Sequence, residues 1–205
     1  WLAGQGKTWI TTPSEVSSHV RVGMPKELHH TKWCADRAID FVRAAPRYER
    51  PWLFSVNIFD PHHPFDPPAE YLQRYRDRLD EIPLPDYVEG ELADRPVWQR
   101  IDHGGAYAGG FMAFNKMSER DHRAVRAAYW AMCDLIDVQV GRMLAALDES
   151  GQRDNTLVIF MSDHGEMLGD HGIYLKGPYF YEQLVHVPLI MRWPRGLPPG
   201  RRISG

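Results

Sequence analysis

The sequence is poor in cysteine, in long apolar runs and in charge of one sign. Cys34 and Cys133 are the only two cysteines in 205 residues, too few for a disulfide framework or a four-cysteine zinc site. Each falls in a segment with helical spacing of apolar residues, which points to buried free thiols. No run is long and apolar enough to span a bilayer. A formal net charge of −3 gives neither a basic footprint for nucleic acid nor a polybasic patch for a membrane surface. Internal repeats and low-complexity segments are absent as well. The chain opens on Trp1 instead of methionine and closes on Arg201-Arg202-Ile203-Ser204-Gly205 soon after an apolar run, which reads as a piece of a longer protein. What is present is core-forming material: 43% hydrophobic and 12% aromatic residues, enough for one folded domain.

Residues 1–30 carry loop signals, among them Thr12-Pro13-Ser14 and Gly23-Met24-Pro25. His29 and His30, adjacent at a helix approach, read as solvent-facing side chains and not as a metal cluster. Thr31 is a candidate N-cap for a helix to about Ala44, with Trp33, Ala38, Phe41 and Val42 on one face. Pro46 stops it. Residues 52–59 form an apolar run of strand length, followed by a proline-rich loop holding His62 and His63. Residues 71–79 suit a short polar helix. Residues 83–113, rich in Pro, Gly, Asp and isolated aromatics, read as a long loop or insertion and a candidate lid.

Ser118 with Asp121 resembles a capping pair, and apolar residues from Val125 to Leu147 recur at helical spacing until Gly151 stops them. Asp134 on that helix is expected to meet an arginine or solvent. Residues 156–161 are a second apolar run, 178–185 a short helix, and 187–193 a third run ended by Pro194. Runs without alternation imply strands buried on both faces. The expectation is an α/β fold in which 53–59, 156–161 and 188–193 share one mostly parallel sheet flanked by helices.

Asp163 and His164 follow the second run directly, placing a carboxylate and an imidazole where open α/β sheets collect ligands. They are a candidate metal pair, although an Asp-His dipeptide by itself more often marks only a turn.

The longer segment Ser162-Asp163-His164-Gly165-Glu166-Met167-Leu168-Gly169-Asp170-His171-Gly172-Ile173-Tyr174-Leu175-Lys176-Gly177-Pro178, with His186-Val187-Pro188-Leu189-Ile190-Met191-Arg192-Trp193-Pro194 after it, closely resembles the sulfatase family of the alkaline-phosphatase superfamily. Phe59-Asp60-Pro61-His62-His63-Pro64-Phe65 resembles that family's His-x-Pro segment. The resemblance covers about 31–194. It implies an incomplete alkaline-phosphatase-like α/β domain, part of a single catalytic domain with a loop-rich start at 1–30. It also implies an enzyme that hydrolyses sulfuric esters, acting on a small-molecule sulfate ester or sulfated sugar. Asp163 and His164 would be metal ligands, most often for calcium, with manganese as the alternative. Lys176 would contact a sulfate oxygen and His62 the sulfate and its leaving group, both as catalytic residues.

The family's Cys/Ser-x-Pro-x-Arg motif, whose first residue becomes formylglycine, has no counterpart: Cys34 is followed by Ala-Asp-Arg and Cys133 by Asp-Leu-Ile. The formylglycine is expected in a preceding segment, and the 205-residue chain alone is expected to be inactive. Two alternatives stand beside this reading, a phosphonate monoester or phosphodiester hydrolase of the same superfamily and a non-catalytic metal-binding domain.

Overall fold

The computed structural model describes residues 1–203. In chain order these form β1 (Thr12–Pro13), β2 (Arg21–Val22), α1 (His30–Ala44), α2 (Ala69–Arg76), α3 (Val97–His103), α4 (Glu119–Glu149), β3 (Val158–Met161), α5 (Glu182–Val185) and β4 (Leu189–Arg192). The longest apolar periodicity became the longest helix. Ser118 caps α4: its hydroxyl accepts the Asp121 N–H (3.2 Å), while the Asp121 carboxylate accepts the Ser118 N–H (2.9 Å), so two otherwise orphaned donors are satisfied. At the other end Gly151 adopts φ +70°, a conformation that suits glycine.

The inner face of α4 is the axis of the core. Ala124, Val125, Ala128, Met132 and Leu135 have no exposed surface. The first half of the helix packs against Val20, Phe65, Leu72, Tyr174 and Leu175, the second against Ile39 and Val42 of α1. Arg142 pairs with Asp36 (2.7 Å) and Arg43 with Glu149 (3.2 Å), fixing α1 on α4. Asp134 meets Arg74 (2.9 Å) and the Tyr75 hydroxyl (3.0 Å) on α2, the kind of partner its sequence position suggested. Cys34 and Cys133 are both free thiols and half-buried. Burial pushes the Cys133 thiol up to about 11.

The expected parallel sheet is not what the described residues form. β3 pairs with β4 in antiparallel register, Val158 opposite Arg192 and Met161 opposite Leu189, and β1 pairs with β2 in a separate two-stranded sheet. Residues 53–59 belong to no strand. The reason lies in the path between the strands. The segment 162–188 leaves the sheet at Met161 and re-enters at its neighbour Leu189, so β4 must run back along β3. The apolar runs are also not buried on both faces: side chains at Ile159, Phe160, Met161, Leu189, Ile190 and Met191 are 39–63% exposed.

Three local expectations also change. α1 begins one residue earlier than Thr31, with His29 as N-cap accepting the Thr31 N–H on Nδ1 (3.4 Å). Thr31 instead turns its hydroxyl to Asp60. Of the two histidines expected at the surface, His29 is fully buried and His30 only partly exposed, and both face Asp60. Burial pushes the His29 imidazole down to about 4. The segment expected as a loop between 83 and 113 contains α3, which buries Gln99 and Asp102 and leaves Val97, Trp98 and Ile101 outside.

Candidate active site

The excursion 162–188 and the proline-rich loop after Phe59 meet beyond the Met161 end of the sheet. Each is shaped locally. The Ser162 hydroxyl donates to the His164 carbonyl (2.7 Å), and the His164 N–H donates to the Asp163 carboxylate (3.1 Å). Gly165 donates its N–H to the Leu184 carbonyl (2.9 Å). A Cβ at Gly165 would lie 1.9 Å from the Gln183 carbonyl oxygen, so only glycine lets the backbone pass that close to α5.

Glu166 turns inward and accepts the Leu168 N–H (3.3 Å). Burial is the main cause that pushes its carboxyl up to about 7, against the pull of backbone N–H groups and the Lys176 charge. Beyond it, Asp170 binds Arg126 of α4 and accepts the Asp86 N–H (2.9 Å). Leu175 is wholly buried at φ +64°, a conformation uncommon for a side chain with a Cβ. Packing on the core holds it there and turns Lys176 back toward His164.

Three of the four residues singled out in the sequence come together. Lys176 Nζ lies 3.0 Å from His164 Nε2 and 3.3 Å from His62 Nε2. Nδ1 of His164 is 2.7 Å from the Gly165 carbonyl, and Nδ1 of His62 is 2.7 Å from the His63 carbonyl. A carbonyl only accepts, so Nδ1 carries the proton in each ring and each Nε2 turns its lone pair toward the ammonium. The fourth, Asp163, has its carboxylate in solvent, with Oδ2 3.9 Å from His164 Nε2.

The donors fit half of a divalent-metal site. The separation of 3.9 Å is under twice a metal–oxygen bond of about 2.3 Å, so one ion can touch both. The Gly165 carbonyl fixes the imidazole through Nδ1, and the single Nε2 lone pair, which faces Lys176 Nζ here, would serve an ion only with the ammonium turned away.

The neighbours of this group come from the proline-rich loop and from the 83–113 segment expected as a candidate lid. His63 stacks on His62 (ring centroids 4.1 Å) and faces Tyr107 and Phe111 at 6.4 and 5.9 Å. Burial, with the charges of His62 and Lys176 behind it, pushes His63 down to about 4. On α3, Asp102 accepts from the Tyr179 hydroxyl (2.5 Å), and His103 Nδ1 meets the Gly172 carbonyl at 2.8 Å. Thus the 83–113 segment braces the site loop and walls one side of it. Its signal in the sequence was loop composition with isolated aromatics, which marked a candidate lid but not α3.

The chain is similar in sequence and fold to known proteins. The sulfatase family model matches residues 4–205. An uncharacterized sulfatase, YidJ of Escherichia coli, is 37% identical over 79% of this chain and 30% of its own length. An arylsulfatase of Clostridium perfringens is 32% identical over 95% of this chain and 37% of its own length. Among solved structures, the phosphonate monoester hydrolase SpPMH from Silicibacter pomeroyi superposes with a TM-score of 0.73 at 29% identity, over 87% of this chain and 35% of that one. The chain therefore spans about a third of the length of the relatives it matches. With a family model running through nearly all of its residues and a structural neighbour of alkaline-phosphatase-like fold, this chain belongs to the sulfatase family of the alkaline-phosphatase superfamily.

Proposed function

We propose that this chain is part of the catalytic domain of a metal-dependent hydrolase acting on small-molecule sulfate esters. The observation that carries the reading is the approach of Lys176 Nζ to the Nε2 atoms of both His62 and His164, residues a hundred or more positions apart in part. An ester of this kind is cut when charge on its non-bridging oxygens is neutralised and its leaving oxygen is protonated.

In this reading Lys176 supplies a compact positive charge to a non-bridging oxygen. His62, held at Nδ1 by the His63 carbonyl, directs Nε2 to the ester, and once Nε2 is protonated the imidazolium gives that proton to the leaving oxygen. Asp163 and His164 would hold a divalent cation, calcium by the family resemblance, which supplies Lewis-acid polarisation when bound. His63, Tyr107 and Phe111 would shape the space for the organic group.

The nucleophile is not among these residues, since no Cys/Ser-x-Pro-x-Arg sequence occurs. The 205-residue chain alone is therefore expected to show no turnover of 4-nitrophenyl sulfate. In the full-length protein, Lys176→Ala and His62→Ala should each lower kcat/KM by about 100-fold or more. Activity unchanged by both substitutions would defeat the assignment.

A second reading, phosphonate monoester hydrolysis, has support in the likeness to SpPMH. The ratio of activities on 4-nitrophenyl sulfate and 4-nitrophenyl phenylphosphonate, measured on the same preparation, separates the two.

A further inference from the structure

Where the start of α1 meets the proline-rich loop, His29, His30 and Asp60 place one donor atom each within 4.8 Å of one another. His29 and Asp60 are buried, with side chains 0% and 1% exposed, and His30 is 29% exposed. His30 Nε2 is 3.1 Å from Asp60 Oδ1, yet the two are not aligned as a hydrogen bond, and both atoms, with His29 Nε2, lack any hydrogen-bond partner. Asp60 is served by the Thr31 hydroxyl on Oδ2, with His29 Nδ1 farther off at 3.5 Å.

A buried carboxylate with one oxygen unpartnered is costly, and so is a buried imidazole nitrogen without a partner. Asp60 Oδ1 and His30 Nε2, unpartnered and 3.1 Å apart with the His29 ring beside them, share one remedy, a cation among the three residues.

We propose that His29, His30 and Asp60 form a second divalent-metal site, separate from the Asp163–His164 pair, that takes an ion of the zinc class. Two imidazoles and one carboxylate favour such an ion over calcium or magnesium, which prefer all-oxygen cages. The spacing fits as well. Donors 3.1 Å apart, each about 2.1 Å from a shared ion, subtend roughly a right angle there.

Thr31 supplies the outer hydrogen bond that orients the carboxylate. Access exists too: a cleft of about 400 Å³, walled by Trp9, Leu28 and Trp33, opens on His30, so the ion can enter and water can complete its coordination. The ion would tie the start of α1 to Asp60, two positions ahead of His62, and so hold the loop that carries that histidine.

The test uses the 205-residue chain freed of metal by chelation, with Asp163→Ala and His164→Ala introduced to remove the other pair, and Co²⁺ as the spectroscopic probe. The expected result is one equivalent of Co²⁺ bound with visible ligand-field bands, displacement by Zn²⁺, and a higher Tm in the loaded protein. His30→Gln, at a ring already partly exposed, should weaken Co²⁺ binding at least tenfold. No bound equivalent in the folded chain, or an affinity unchanged by His30→Gln, overturns the proposal. Should His30→Gln fail to fold, NMR of the chain with His29 and His30 intact decides. Selective broadening of the His29, His30 and Trp9 ring signals by Co²⁺ supports the site, and sharp signals there overturn it. Failure of this proposal leaves the sulfatase reading standing, because that reading rests on the approach of Lys176 to His62 and His164.

Discussion

The two halves of the molecule use apolar residues in opposite ways. In α4 the apolar stripe is closed over by α1, α2 and the site loop, and residues such as Leu135 have no exposed surface. In β3 and β4 the side chains are equally apolar and stand largely in solvent, Ile159 at 48%. Composition therefore says which residues are able to be buried, and only the surrounding elements decide which are. The helical half carries the stability of these residues, and the sheet carries position, since the site loop springs from it.

The largest effect that this contrast predicts is at Leu135. Leu135→Ala opens a cavity in the contact among α4, Tyr71 and Ala131 and should lower unfolding stability by about 2–5 kcal/mol, measured by denaturant titration. A loss below about 1 kcal/mol would mean that α4 is not the core axis.

A pH effect comes next. His122 on α4 is buried with Nδ1 2.7 Å from the Tyr174 hydroxyl. Burial is the chief cause holding its imidazole below the ordinary value of 6.5. The unfolded chain then binds the proton more readily, so the His122 contribution is full above about pH 6.5 and is lost as the pH falls from there. The slope of Tm against pH below 6.5 should be shallower in His122→Gln than in the unsubstituted chain. Equal slopes would place the acid sensitivity elsewhere.

The smallest effect belongs to the sheet. Ile159→Ala, at a half-exposed position, should cost no more than about 1 kcal/mol in the same titration. A cost matching that of Leu135→Ala would erase the contrast between the two halves.

Much of this was readable in the sequence, and the parts that were not share a cause. α4 was legible because its repeat and its capping pair are local, and the family resemblance drew attention to Asp163, His164, Lys176 and His62 in advance. Strand partners and direction are non-local: the runs at 156–161 and 188–193 state that strands form, and only the return of the chain at Leu189 states how they pair. α3 was missed because its pattern is inverted, with Gln99 and Asp102 inside and Val97, Trp98 and Ile101 outside. The burial of His29 depends on Asp60, thirty positions away, and a histidine pair carries no mark of that partner.

The pairing of Met161 with Leu189 makes the segment 162–188 a loop in the polymer sense, with both ends pinned at one place. Closing such a loop costs entropy that grows only with the logarithm of its length, about 0.6 kcal/mol for a doubling. Extra residues at an exposed bend such as Phe180 would thus be cheap, while shifts at Gly165 or Leu175 would not. Loop growth on one side of Lys176 can then occur while Lys176, His62 and His164 stay registered to the sheet, which makes this strand pairing a point of evolutionary freedom as much as of support.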